Sequence, residues 1–181
     1  IEDEGLKELL ERIPQTFTKM LDFINTQLDY AEAGQVIGEL ESVSMDRIIN
    51  AVIENFEYAE QEGVACFSKL PDMPEARCDP TRMLKVWQNM IANSIKFRGT
   101  KNPVRIKFGG EESRDTVKFW IRDNGPGIIA EHQDKVFETN ARLNYDVEGY
   151  GFGLATVKKI IAAHGGNIWI DSEVKDGACF V

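Results

Sequence analysis

Apolar side chains recur at helical spacing from the start of the chain. Leu6, Leu10, Ile13, Phe17, Met20, Ile24 and Leu28 step by three and four, which predicts an amphipathic helix over residues 1–30, widened by Leu9, Leu21 and Phe23. Pro14 interrupts the pattern and either kinks or restarts that helix. Nothing nearby in sequence covers such a stripe, so a bundle or coiled-coil partner is expected, the alternative being the chain's own domain. Gly34 and Gly38 then mark a hinge over residues 31–42. Ser44 and Asp46 open a second helix, in which Ile48, Val52, Phe56 and Ala59 keep the period until Gly63. Val64 to Leu70 reads as a short strand and Ala76 to Cys78 as another.

Asp79-Pro80 pairs a capping carboxylate with a proline in the first turn, so a third helix is predicted from there to about Phe97. Its apolar face carries Met83, Val86, Trp87, Met90, Ile91 and Ile95. Asn89, Asn93 and Lys96 share another edge, one turn above the next, although asparagine is a poor residue for a helix interior. Strict alternation at Val104, Ile106 and Phe108, and again from Thr116 to Arg122, predicts a hairpin whose turn begins at Gly109-Gly110. Polar sequence without a period follows Asp123 and suits a mobile flap. An apolar helix then runs from Leu154 to Gly165-Gly166, and residues 167–171 and 178–181 read as strands around a turn at Lys175-Asp176-Gly177. Helices and strands mix without βαβ alternation. The expected class is α+β: a two-layer sandwich with helices on one face of a mixed, mostly antiparallel sheet, preceded by the long N-terminal helix.

Composition narrows the function. The 181 residues suit one domain with an appendage, and 43% hydrophobic content supplies a core. A net charge of −9 argues against nucleic acid as a partner. No apolar run could cross a bilayer and no leader pattern appears. Opening within a helical pattern and ending within a strand pattern suggests a fragment. Cys66, Cys78 and Cys179 lack metal-ligand spacing and read as reduced, packed thiols of a cytoplasmic protein.

Two glycine clusters carry the candidate chemistry. Asp123-Asn124-Gly125-Pro126-Gly127 follows a strand, and Gly149-Tyr150-Gly151-Phe152-Gly153-Leu154 opens a helix. Glycines that open a helix can turn free N–H groups towards an anion, or they can be simply a helix start. Neither cluster is a P-loop or a Rossmann fingerprint, since no Gly-Lys-Ser/Thr occurs and the spacing is wrong.

These stretches, taken in order, resemble the ATP-binding domain of sensor histidine kinases, in the gyrase–Hsp90–histidine kinase–MutL group, over residues 42–181. Gln88-Asn89-Met90-Ile91-Ala92-Asn93-Ser94-Ile95-Lys96-Phe97 looks like the N box, and Asp123 to Ile128 like the first glycine box. Phe137 and Arg142 fall at the F box, and Gly149 to Leu154 at the second glycine box. Lys96-Phe97 and the late His164-Gly165-Gly166 favour the kinase branch. Met20 to Ile24 and Leu28-Asp29-Tyr30 resemble, more loosely, the second helix of a dimerisation hairpin. The implied division is a partial hairpin helix at 1–31, a linker at 32–42 and an ATP-binding domain at 43–181.

The resemblance implies ATP and Mg²⁺. Asp123 would accept the adenine amino group, while Gly125 and Gly127 let the backbone pass close to base and sugar and Phe97 packs on the nucleotide; Ile128 and Phe137 are also expected among the nucleotide-binding residues. Asn93, with Asn89 beside it, would hold the metal; Asn89, Lys96 and Arg142 would serve the transfer, the two cations offsetting phosphate charge. Gly149, Gly151, Phe152, Gly153 and Leu154 would bind the phosphates. The γ-phosphoryl group would pass to a histidine outside this chain, since His132 and His164 lack an acceptor motif and suit structural parts. A phosphoacceptor helix from the same or a partner protomer, a response regulator and a homodimeric full-length protein are the implied partners. Three departures stand out: Asn140 replaces a second aromatic, the flap from Arg142 to Gly149 is short, and Tyr150 replaces a small polar residue. They motivate an alternative, an ATP-binding regulatory module without phosphotransfer. An ATPase clamp of the chaperone or mismatch-repair type fits less well, because Lys85 to Gln88 contain no glutamate.

Overall fold

The computed structural model describes residues 4–34, 38–141, 147 and 149–181. Helix α1 (Glu4–Glu32) runs through Pro14 without a restart. Strand β1 (Glu41–Ser44) leads into α2 (Met45–Glu54) and α3 (Glu57–Gln61), then β2 (Ala65–Lys69) and β3 (Glu75–Cys78). Helix α4 (Pro80–Lys96), strands β4 (Val104–Glu112) and β5 (Val117–Asp123), helix α5 (Gly153–Ala163) and strand β6 (Cys179–Phe180) complete the regular elements. Two short 3₁₀ turns, Ala130–His132 and Lys135–Phe137, lie between β5 and α5.

The main sheet has the order β2-β4-β5-β6, parallel between β2 and β4 and antiparallel elsewhere. Alternation along β4 points Val104, Ile106 and Phe108 inwards and leaves Arg105 and Lys107 outside. Met83, Val86, Trp87, Met90 and Ile91 of α4 meet that inner face with Ile49 and Val52 of α2 and Val157 and Ile160 of α5. The Trp87 ring stands edge-on to Phe108 at 5.9 Å, and its N–H reaches Met45 Sδ at 3.1 Å. The α+β sandwich is therefore the one the hydrophobic pattern predicts.

Local details depart from the sequence expectations. Gly109 and Gly110 do not turn the chain; both lie inside β4, and the turn falls where the Ser113 N–H meets the Thr116 carbonyl. They are glycines for space, since a Cβ on Gly109 would lie 2.1 Å from Trp120 Cζ2 and one on Gly110 2.7 Å from Phe119 Cδ1. The helix expected to run to Gly63 is two helices. The Asn55 and Phe56 N–H groups bond three residues back, to Val52 and Ile53, which tightens and ends α2. Ser44 occupies the N-cap position of α2 without a side-chain bond. Strand β1 had no sequence signal; it pairs with β3, where the Ser42 hydroxyl meets Glu75 Oε2 at 2.6 Å. Of the strand expected at 167–171, only a bridge from Ile170 to Phe180 and backbone bonds at Trp169 and Asp171 form, because β6 offers so short an edge.

The apolar stripe of α1 stays in solvent: Leu10, Ile13, Phe17, Met20, Ile24 and Leu28 are all exposed. The helix docks on its own domain by a neighbouring face instead. Tyr30 packs on Phe152 with ring centroids 5.4 Å apart, Asp29 pairs with Lys85, and Lys159 reaches the Tyr30 carbonyl at 3.2 Å.

Candidate nucleotide-binding site

Strand β5 delivers Asp123 to the edge of the core, 8% exposed. Its Oδ1 accepts the Gly125 N–H at 2.9 Å and the Ala178 N–H at 3.2 Å, while Oδ2 accepts the Ser94 hydroxyl at 3.2 Å. Burial pushes this carboxyl above its ordinary range, and the three donors only partly offset that. One oxygen is thus saturated by backbone and the other retains acceptor capacity, an arrangement that can read an N–H donor. The turn bearing Ala178 is held hard against the loop. Gly177 adopts φ +98°, and a Cβ there would lie 1.8 Å from the Asp123 carbonyl oxygen. The Asn124 side chain accepts the Arg105 N–H at 2.7 Å and ties the first glycine loop to β4.

Helix α4 forms the adjoining wall. Asp79 caps it as expected, accepting the Thr81 and Arg82 N–H groups at 2.9 and 3.1 Å, and it also takes the Gly38 N–H at 2.9 Å. Burial pushes its carboxyl up, but those backbone donors outweigh it and hold it below the usual range. The Asp79 N–H donates to His164 Nε2 at 3.1 Å, and His164 Nδ1 lies 2.7 Å from the Ile160 carbonyl. His164 therefore carries its proton on Nδ1 and joins the end of α5 to the start of α4, a structural part. Further along α4, Asn89 donates its amide to the Lys85 carbonyl at 2.9 Å, which turns Oδ1 outwards. Asn89, Asn93 and Lys96 are half-buried along one edge, and the Lys96 ammonium stands 5.0 Å above the Phe97 ring.

The second glycine loop lies on this edge. A Cβ on Gly153 would approach Asn89 Oδ1 to 3.0 Å and Asn93 Nδ2 to 3.7 Å, and one on Gly149 would fall 2.1 Å from Lys96 Nζ. Asn140, one of the three departures, supports the loop: at φ +63° it donates its N–H to the Gly151 carbonyl at 3.1 Å. The first glycine loop meets the C-terminal end of the same helix, with Gly125 against the Phe97 carbonyl and Pro126 against Gly99.

Asp123, Gly125, Asn89, Asn93, Lys96, Phe97, Gly149 and Gly153 thus gather around α4, while Gly151 packs against Asn140 and Ala141. Other expected residues point elsewhere. Phe137, expected among the nucleotide-binding residues, is buried in the core with its ring edge-on to Phe180 at 6.3 Å. Phe152 is buried against Tyr30, and Leu154 and Ile128 are half-buried against the core. Gly127 backs onto the Gly177 carbonyl rather than facing α4. Arg142 lies outside the described residues. Sequence reasoning missed Ser94, Gly177 and Ala178. Ser94 had a faint signal as a hydroxyl on a buried face, whereas the C-terminal turn had none, since only folding brings it to Asp123. The donor set suits a hard cation held partly by phosphate: amide oxygens stand alone here, and among the described residues no cluster of three His, Cys, Asp or Glu could hold a metal.

Comparison with known proteins agrees with this architecture. Residues 78–181 match the family described as histidine kinase-, DNA gyrase B- and HSP90-like ATPase, and the chain belongs to that family. Phytochrome-like protein Cph1 of Synechocystis sp. is 31% identical over 98% of the chain, which spans 24% of that relative's length. The catalytic domain of histidine kinase ThkA superposes with a TM-score of 0.67 at 27% identity, covering 79% of this chain and 93% of that one. Full-length ShkA in complex with AMPPNP gives a TM-score of 0.75 at 22% identity, covering 96% and 37%. Within the family, the chain is an ATP-binding catalytic domain of the sensor histidine kinase type.

Proposed function

We propose that the chain binds Mg·ATP along the edge of α4 and transfers the γ-phosphoryl group to a histidine on a separate helix. The observation that carries the proposal is the buried Asp123 carboxylate, with two backbone donors on Oδ1 and the Ser94 hydroxyl on Oδ2, beside the C-terminal half of α4, whose Asn89 and Lys96 face the second glycine loop. Asp123 would accept the adenine amino group, and Phe97, 41% exposed, would cover one face of the base. Asn93 and Asn89 would offer amide oxygens to Mg²⁺, which supplies charge neutralisation between the phosphates. Lys96 and the backbone N–H groups of the second glycine loop would hold phosphate oxygens in line with the acceptor. In the transfer the bond from the γ-phosphorus to its bridging oxygen breaks, a bond to the imidazole nitrogen forms, and ADP departs.

Residues 1–31 are assigned to a dimerisation hairpin, 32–42 to a linker and 43–181 to the catalytic domain. The exposed stripe of α1 would meet the acceptor helix in a homodimer of the longer protein. A response regulator would take the phosphoryl group onward, in the cytoplasm; among the described residues no helix is long and apolar enough to cross a membrane.

Calorimetric titration with a non-hydrolysable ATP analogue tests the binding. Magnesium-dependent affinity in the parent, and loss of that metal dependence in Asn93→Ala, are expected. Transfer to an added acceptor-helix protein tests the kinase step; binding without transfer to any acceptor would favour a regulatory module.

A further inference from the structure

Tyr150 stands between two glycines of the second loop, yet its side chain turns away from the α4 edge and towards α1. Its hydroxyl donates to the Lys19 carbonyl at 2.6 Å, and its ring meets Phe23 edge-on with centroids 5.0 Å apart. Phe23 also reaches Phe152 at 6.5 Å. On the same seam the Tyr30 hydroxyl accepts the Thr139 hydroxyl at 3.0 Å, and the Lys159 ammonium stands 3.9 Å from the Tyr30 ring. These contacts join a helix near the start of the chain to a loop more than a hundred residues later.

We propose that Tyr150 is a positioning residue: by gripping α1 it holds the second glycine loop over Asn89 and Lys96, so that α1 forms part of the phosphate-binding apparatus. The inference rests on the ATP reading given above. Its physical basis is entropy. Alternate glycines give this loop a large set of accessible conformations, and gathering its N–H groups around phosphate would require ordering them at the moment of binding. Two anchors remove that requirement beforehand. The Asn140 N–H fixes the Gly151 carbonyl from the domain side, and Tyr150 fixes the adjoining residue from the α1 side. The first glycine loop, which would meet the base, is held by Asn124 and Gly177 and makes none of the contacts of this seam. Loss of the grip should therefore weaken binding of the phosphates and spare binding of the nucleoside. A contact that merely stabilised the fold would not separate the two.

The test is calorimetric titration of the parent chain, Tyr150→Phe, Tyr150→Ser and Phe23→Ala with Mg·ATP and with adenosine. Thermal melts confirm that each variant is folded. Tyr150→Phe, which removes only the hydroxyl, should weaken ATP about fivefold. Tyr150→Ser and Phe23→Ala should weaken it about tenfold or more, with adenosine affinity held within about twofold. The Phe23 variant is the discriminating one, because that residue lies in none of the glycine or asparagine motifs. Unchanged ATP affinity in both Tyr150→Ser and Phe23→Ala would overturn the proposal, as would equal losses for ATP and adenosine. A parent that binds neither ligand would instead overturn the ATP reading itself.

Discussion

Replacing Asp123 with asparagine should separate function from stability, in opposite directions. In the parent, Oδ1 accepts two backbone N–H groups, from Gly125 and Ala178, so an asparagine must place its carbonyl oxygen there. Its NH₂ is thereby forced into the position of Oδ2, beside the Ser94 hydroxyl, which can rotate to accept. The base-reading atom changes from an acceptor to a donor. A hydrogen bond to a charged group is lost, worth about 1.5–3 kcal/mol, and donor faces donor in a buried place. A total near 3 kcal/mol corresponds to about a 150-fold loss of ATP affinity. Stability should move the other way. Burial raises the folded-state carboxyl above its unfolded value, so the folded parent binds the proton more tightly. Its stability therefore falls as pH rises through that interval, and at neutral pH it carries an ionised, desolvated group. Asparagine carries no such burden. Asp123→Asn should melt at or above the parent at pH 7, and the difference should shrink as the pH falls towards the ordinary carboxylate range, about 4. Calorimetric titration with ATP and scanning calorimetry at the two pH values measure both effects. ATP affinity within about threefold of the parent would refute the donor-reading argument. A variant clearly less stable at neutral pH would refute the burial argument.

Other outcomes follow from the same geometry. Asp79→Ala should destabilise by about 2 kcal/mol in denaturant titration, since the α4 cap and the Gly38 contact go together. Because donors hold that carboxyl low in the folded state, its contribution should be present above the ordinary carboxylate range and be lost as the pH falls through the depressed value. Gly109→Ala should cost about 2 kcal/mol in the same assay, because its Cβ would overlap the Trp120 ring while β4 and β5 stay paired. A thiol reagent at neutral pH should modify Cys66 alone and all three cysteines after unfolding. Cys66 is exposed, whereas burial, with Asp79 and Glu41 nearby, pushes Cys78 up to about 11, and burial also raises Cys179.

Much of the chain is legible without coordinates because its information is local. Asp79-Pro80 starts a helix by its own capping chemistry, β4 shows its inner face by alternation, and α1 shows its stripe by a period that α1 keeps even where nothing covers it. The order of the asparagine helix and the two glycine clusters likewise points to a nucleotide site, since each carries its chemistry in neighbouring residues. What folding alone decided depends on contacts between distant parts of the chain. Gly109-Gly110 read as a turn until Trp120 and Phe119 occupy the space above them. Strand β1 exists only because β3 lies beside it. Phe137 and Phe152, aromatic residues in motif positions, turn into the core and towards α1 once Phe180 and Tyr30 are near. The Asp123 carboxylate gets its orientation from Ser94 and Ala178, and Tyr150 gets its place from Lys19 and Phe23. Periodicity and capping act within a few residues along the backbone; packing and buried hydrogen bonds select partners across the fold, and no local pattern encodes which partners those are.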